Sequence, residues 1–574
     1  MSAALRVQAA SSTRCVRVVR AGVGHHLADP KLVCREIVNG LGGEANRVDR
    51  QSGTVATQRA WVRWDALVIA VALAAAVVRA VVLGSGSGPA TIDAGNWLAF
   101  ADTFFGASYR SSDLLYPPVV PILTDLFTRI AGLSVGIALL GALAAVAPGL
   151  ATYYVVRRSY GPSIWACGVS AAALFAGSTG EATAWGGFPQ LLGFALMLLL
   201  IEELAHGALA RPWRGGTLLF LVAATSHFVL LLTIFAAALV AALIWVTDER
   251  ASSGGGGASV FRVWAKAVGI AAVPGLVLLP TYISLTSNVT SSRGPRQGEE
   301  PTGLSNAWAT WDFITREATF SWLVVLVVGC LAPWMALERR RSAAWRVGVA
   351  LSVTPLICTL LVGETRYTYA LPLAFLVSLV AIFNRPSGRR QGQDGGVRRW
   401  TRRSALLLAA VVMASISVGG VRSFQDQRAF YGVMNDDLVE ILGQVGRSYE
   451  PSEAVIAVPS KGSAPLGWWT EALTQRPTLY AAPLRWLVYD DEIRRAVTAN
   501  AIFQPGFPST EGLGLAVEAG IDVIVVPAGW TFDNPEANLR FREQWPESVV
   551  GSNDGGYVID MAIWLAVAEG ASPP

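Results

Sequence analysis

Residues 66–83 form an apolar run in which Arg79 is the only charge, and comparable runs recur as far as residue 421. A helix of that length rises about 27 Å, close to the thickness of a bilayer's hydrocarbon core. In lipid every backbone N–H and C=O must be satisfied within the chain, so segments like these fold as a helical bundle. Composition agrees: 53% of residues are hydrophobic and 15% are charged, where soluble domains carry about one quarter charged residues.

Arginine clusters orient such a chain, because basic connecting segments stay cytoplasmic. On that rule single spans are predicted at Ala66–Leu83, Leu133–Val156, Ile164–Ala176, Pro189–Ile201, Val268–Leu285, Phe320–Leu337, Val347–Val362, Tyr367–Phe383 and Ser404–Val421. Leu218–Val246 has arginines on both flanks and reads as two short helices meeting outside at Thr225-Ser226-His227. The total is about 11 transmembrane helices in the plasma membrane, with the N-terminus cytoplasmic. Arg79 is expected to snorkel to the interface, residues 177–187 to form a polar outer loop, and Gly254–Gly257 a flexible linker.

Three regions follow. Residues 1–62 are a basic, loosely ordered cytoplasmic tail; 63–421 are the polytopic membrane domain; 422–574 are a soluble α/β domain on the extracytoplasmic face. In the last region 437–445 has helical spacing, while 454–458 and 521–526 read as strands.

Absences narrow the function. There is no GxxxxGK[ST] for a nucleotide-driven pump. The four histidines form no HExxH, and the five cysteines show no paired spacing. The net charge of +4 is spread over connecting segments, which assigns it to topology and not to nucleic acid.

The polar residues that remain converge on the outer ends of the spans: Asp93, Asp102, Asp113, Glu181, Trp185, His227, Glu364, Arg366 and Tyr367. Asp93 reads as a general base or metal ligand, or as an acid capping the helix that starts near Ala94. Arg366 suits a phosphate, since guanidinium binds it through two parallel hydrogen bonds, or it anchors the span beside Glu364. His227 and Tyr367 lie at similar depth. Trp185 and Glu181 offer a sugar contact or an interfacial turn. Trp468, Trp469 and Glu471 could stack on and bind a sugar, or form a buried pair with its neighbour.

An acid soon after the first span, then YPPVVPILTDLFTRIAG, a span ending in VVRRSYGP, and a late ETRYTYALPL resemble the GT-C superfamily of polytopic membrane glycosyltransferases. WGGFPQLLGFAL and TSHF are similar to the branch labelled 6-pyruvoyl-tetrahydropterin-synthase-related membrane proteins. The resemblance covers about residues 66–421. It implies inverting transfer of a sugar from a polyprenyl-phosphate-linked donor to a glycan, lipid or protein acceptor of the cell envelope. The family's first-loop acid maps to Asp93, as base or as ligand of a divalent cation, magnesium or manganese. The chain lacks the DxD pattern, which leaves metal dependence open. A non-catalytic relative and a lipid or solute transporter are the competing readings.

Overall fold

Helix α1 (Arg63–Gly84) is followed by two helices of the first loop, α2 (Ala94–Phe104) and α3 (Val119–Ala131). Then come α4 (Leu133–Tyr160), α5 (Ile164–Leu174), α6 (Gly177–Trp185), α7 (Phe188–Ala205), α8 (Pro212–Thr225), α9 (His227–Thr247), α10 (Gly256–Gly275) and α11 (Leu279–Ser291). Next are α12 (Ala343–Val362), a 3-10 turn at Thr365–Ala370, α13 (Leu371–Phe383) and α14 (Val397–Tyr431). The computed structural model describes residues 63–86, 88–105, 115–206, 212–247, 256–291, 342–362, 365–383, 397–450, 454–461, 464–484, 487, 489–530 and 535–570. Val68–Pro574 forms one compact unit that holds the bundle and the sheet.

Among the described residues six stretches are long and apolar enough to cross a membrane: α1, α4, α7, α9, α12 and Trp264–Ser287, which joins α10 to α11. Leu73, Val77 and Val81 on α1, Leu143 on α4 and Ile234 on α9 are exposed, as suits side chains whose solvent is lipid. The tail 1–62 and the expected span Phe320–Leu337 lie outside the described residues.

The break in the 218–246 run falls at Ser226, between α8 and α9. Its hydroxyl accepts from the Val229 N–H at 3.4 Å and its carbonyl from the Leu230 N–H at 3.0 Å. A serine that caps the next helix in this way ends the one before it.

Other expectations need correction. Arg79 does not snorkel: it is buried, its guanidinium donates to the Leu174 carbonyl and stands 5.2 Å over the Phe175 ring. Helix α5 is 11 residues long and ends at Leu174, so the arginine satisfies a carbonyl that ends inside the bundle. Residues 177–185 are not a loop but helix α6, which packs so tightly on α14 that a Cβ on Gly180 would approach the Gly420 carbonyl oxygen to 2.8 Å. Gly256 and Gly257 belong to α10 and not to a linker. The boundary expected at 421/422 falls inside α14, a 35-residue helix.

After α14 come α15 (Asp436–Ser448), β1 (Ile456–Val458), α16 (Gly467–Thr474), β2 (Thr478–Tyr480), α17 (Asp490–Ile502), α18 (Thr510–Glu518), β3 (Val523–Pro527), α19 (Pro535–Gln544), β4 (Val549–Asn553), β5 (Gly556–Asp560) and α20 (Met561–Ala568). The sheet order is β2-β1-β3-β5-β4, with β1 parallel to both β2 and β3 and the other pairs antiparallel. Alternation along the strands divides the two faces. Val458, Tyr480, Val523 and Val525 join the core that includes Trp97, Phe100 and Trp469; Ala457, Ile524 and Val526 pack with Phe503, Phe507 and Trp530. The first face thereby shares one continuous core with the first-loop helices.

The joint is close at Gly95 on α2, where a Cβ would come within 2.8 Å of the Trp469 backbone. Gly95→Ala must push the two elements apart. Overpacking of this kind costs about 1–3 kcal/mol, read as a lower midpoint in thermal unfolding of the purified protein. An unchanged midpoint would mean that the joint yields freely.

Candidate functional site

Asp93 sits between a strained residue and a glycine. Thr91 has φ +75°, a left-handed conformation rare for a β-branched side chain. Its carbonyl accepts from the Trp469 indole N–H at 3.0 Å. Gly186, at φ +99°, closes the other side: a Cβ there would stand 3.0 Å from both Asp93 Cβ and Thr91 Oγ1. The Asp93 N–H donates to the Trp185 carbonyl at 3.0 Å, and the Trp97 indole N–H to the Gly186 carbonyl at 2.8 Å. Strain held in place by such surroundings is a feature of functional sites.

The carboxylate does not cap α2. Asp93 has helical φ and ψ of −78° and −12°, and its side chain makes no cap hydrogen bond. The capping alternative is thus set aside, and the side chain is left for other contacts.

Arg366 faces it from the 3-10 turn. Its guanidinium stands 5.0 Å over the Trp185 ring and 5.8 Å over the Phe228 ring, two cation–π contacts that help to position it. From there it acts electrostatically on Asp93, Tyr116 and His227. His227 opens α9 with its ring 4.2 Å from Phe228, 5.3 Å from Tyr116 and 6.5 Å from Tyr489. Among the described residues its buried Nδ1 has no hydrogen-bond partner. Tyr116 is hydrogen-bonded to the Ser226 side chain. Tyr367 is buried, edge-on to Phe228 at 6.0 Å.

Asp93 keeps some accessible surface, yet protein atoms surround it closely enough to weaken hydration of the charge. Burial lifts its carboxyl to about 7; Arg366 draws it back down, and the Glu492 carboxylate adds to the rise. A carboxyl poised there exchanges a proton near neutral pH, the property a general base needs.

The structure brings Asp93, Trp185, His227, Arg366 and Tyr367 together. Glu181 is near but already committed, hydrogen-bonded to Tyr369. Asp102 acts on Arg129 instead, while Asp113 and Glu364 lie outside the described residues. Three expected sugar contacts need correction. Trp469 is fully buried, with its indole spent on Thr91. Trp468 is buried and donates to Glu492 at 3.3 Å. Glu471 is fully buried and pairs at 3.1 Å with Arg495, which also meets Asp491 at 3.0 Å. None of the three has a face to offer a sugar: they hold the sheet domain together and dock it on the first loop.

Glu471→Gln is therefore expected to destabilise the fold by about 3 kcal/mol, the lower end for breaking a buried ion pair, since Asp491 remains to Arg495. Denaturant unfolding measures it. Unchanged stability with loss of acceptor binding would return Glu471 to the site.

Three site residues were not anticipated from sequence. Tyr116 was visible as the entry to YPP but not as a partner of His227. Tyr489 and Glu492 come from the start of α17, almost 400 residues after Asp93, and no local pattern announces them. Among the described residues no group of three His, Cys, Asp or Glu side chains could hold a metal ion. The cationic group acting on Asp93 is Arg366.

At the opposite end of the bundle Arg158 pairs with Glu202 and Glu203, each at 2.7 Å, and Arg346 donates to the Ala205 carbonyl at 3.0 Å. These pairs tie the ends of α4, α7 and α12 and lie a full helix length from Asp93. They are structural.

Solved structures similar to the chain include ArnT from Cupriavidus metallidurans bound to undecaprenyl phosphate, at 14% identity over 89% of this chain and 99% of that one, TM-score 0.47. The apo state of that protein matches at 14% identity over 90% and 100%, TM-score 0.48. The archaeal oligosaccharyltransferase AglB from Archaeoglobus fulgidus, in complex with an inhibitory peptide and a dolichol-phosphate, matches at 14% identity over 87% and 74%, TM-score 0.43. No family model and no curated protein matches the chain. At such identities and TM-scores these are likenesses without functional weight.

Proposed function

We propose that the protein is an integral-membrane glycosyltransferase that moves a sugar from a polyprenyl-phosphate-linked donor to an extracytoplasmic acceptor. One observation carries this reading: Asp93, hydrogen-bonded through its N–H to the Trp185 carbonyl, and Arg366, whose guanidinium stands over the Trp185 ring, are distant in sequence yet interact within a single site. The order of motifs along residues 66–421, which resembles the GT-C superfamily, points the same way.

The chemistry is a displacement at the sugar's anomeric carbon. An acceptor hydroxyl attacks as its proton passes to the Asp93 carboxylate. The bond from the anomeric carbon to the donor phosphate breaks with its electron pair, leaving a lipid phosphate whose charge Arg366 meets. Attack opposite the leaving group inverts the centre. His227 and Tyr367 border the phosphate side, and Trp185 holds the guanidinium in place through a cation–π contact. A lipid donor accounts for a site built at the ends of membrane helices.

Incorporation of labelled sugar from a polyprenyl-phosphate donor, wild type against Asp93→Asn, tests the proposal. Transfer by wild type and its loss in the variant are expected. Equal incorporation by both would remove the base and with it this reading.

A further inference from the structure

The chain holds three lysines, Lys31, Lys266 and Lys461, among its 45 basic residues. Lys461 is the one lysine after residue 421, and it stands at a special place in the sheet. The chain leaves β1 for β2 on one side through α16, then returns past β1 to β3 on the other through α17 and α18. The carboxyl ends of β1 and β3 are thus a topological switch point, the position at which open α/β sheets bind ligands.

Lys461 follows β1 by three residues and bridges to Trp530, three residues beyond β3. Its N–H donates to the Ala464 carbonyl at 3.0 Å and its carbonyl accepts from the Ala464 N–H at 2.9 Å, a local turn that fixes the backbone at Lys461. The side chain is half-buried beside the buried Ser460. Among the described residues no carboxylate pairs with the ammonium, and burial alone pulls it below the ordinary lysine range. A half-buried cation without a counter-charge among the described residues gives up part of its hydration unrepaid, and an anionic ligand would supply that charge.

The same edge points to Asp93. The segment leaving β1 leads to Trp468 and Trp469, whose backbone lies against Gly95, and the segment leaving β2 leads to Tyr489, 6.5 Å from His227. We propose that Lys461 is the anion anchor of an acceptor-binding position at the carboxyl edge of β1 and β3, taking a phosphate or carboxylate group. That the anion belongs to the acceptor rests on the glycosyl-transfer reading; that an anion binds there does not.

Acetylation of the full chain in non-ionic detergent, read lysine by lysine by mass spectrometry, tests it without any transfer assay. Exposed Lys266 serves as the internal control. Inorganic phosphate, glucuronate or chloride is added at matched ionic strength. Phosphate or glucuronate is expected to slow labelling at Lys461 about tenfold at ten times its dissociation constant, leaving Lys266 unchanged. The arm that protects at lower concentration identifies the group on the acceptor. The protecting anion should also raise the unfolding temperature of wild type and of Lys461→Arg but not of Lys461→Met. Protection by chloride alone to the same degree, no protection in any arm, or an equal thermal shift in the methionine variant would overturn the proposal. A transfer-competent Asp93→Asn would sink the enzyme reading and leave this result standing.

Discussion

Asp93→Asn is expected to lower sugar transfer by about 10²–10⁴-fold, the usual contribution of a positioned general base. Asparagine keeps the shape that fits under Gly186 but accepts no proton. The same change should raise stability at alkaline pH. Asp93 is lifted in the folded protein from 3.8 to about 7. A carboxyl raised in this way favours the folded state below its unfolded value, and that contribution is lost as pH rises through about 7. Wild type therefore carries a penalty at pH 8 that the asparagine variant lacks, on the order of 1 kcal/mol given partial solvent screening. Thermal unfolding at pH 5 and pH 8 measures it. Activity has the opposite slope, rising as pH passes through about 7 because the base must be ionised. A variant that lost both activity and stability at every pH would mark Asp93 as structural.

Arg366→Met is expected to cost about 10²–10³-fold in kcat, as removal of one preorganised group facing developing negative charge does. Acceptor KM should change little, since the guanidinium acts on the donor side. Arg366→Lys should recover only part of the loss: an ammonium does not reproduce the guanidinium's contacts with the Trp185 and Phe228 rings or its two parallel hydrogen bonds to a phosphate. Single-turnover measurement with a labelled lipid donor separates the two effects. Full recovery by lysine would mean that charge alone suffices and the contacts with the two rings contribute nothing.

Much of the site was legible because lipid confines polar residues. In a chain whose spans are apolar, Asp93, His227 and Arg366 could gather only at the helix ends, and charge bias put those ends on one side. Ser226 broke the 218–246 run because a small capping hydroxyl between two apolar stretches has few other uses. The same reasoning erred where burial depends on a partner far along the chain. Trp468, Trp469 and Glu471 have the residue types of a sugar site, but Gly95 and Arg495 decide their surroundings, and neither lies near them in sequence. Arg79 looked like an interfacial anchor because a hydropathy pattern does not show that α5 ends inside the bundle. Glu492 and Tyr489 were invisible for a related reason: the first turn of α17 reaches the site around Asp93 only through the packing of α16 on α2.

Infrared difference titration of the Asp93 carboxyl, assigned by its disappearance in Asp93→Asn, tests whether the two charges share one site without needing a substrate. In wild type the protonated carboxyl band should titrate with a midpoint near pH 7, and in Arg366→Met the midpoint should move upward as the opposing positive charge is removed. A midpoint in the ordinary carboxylate range that ignores the arginine substitution would contradict the account.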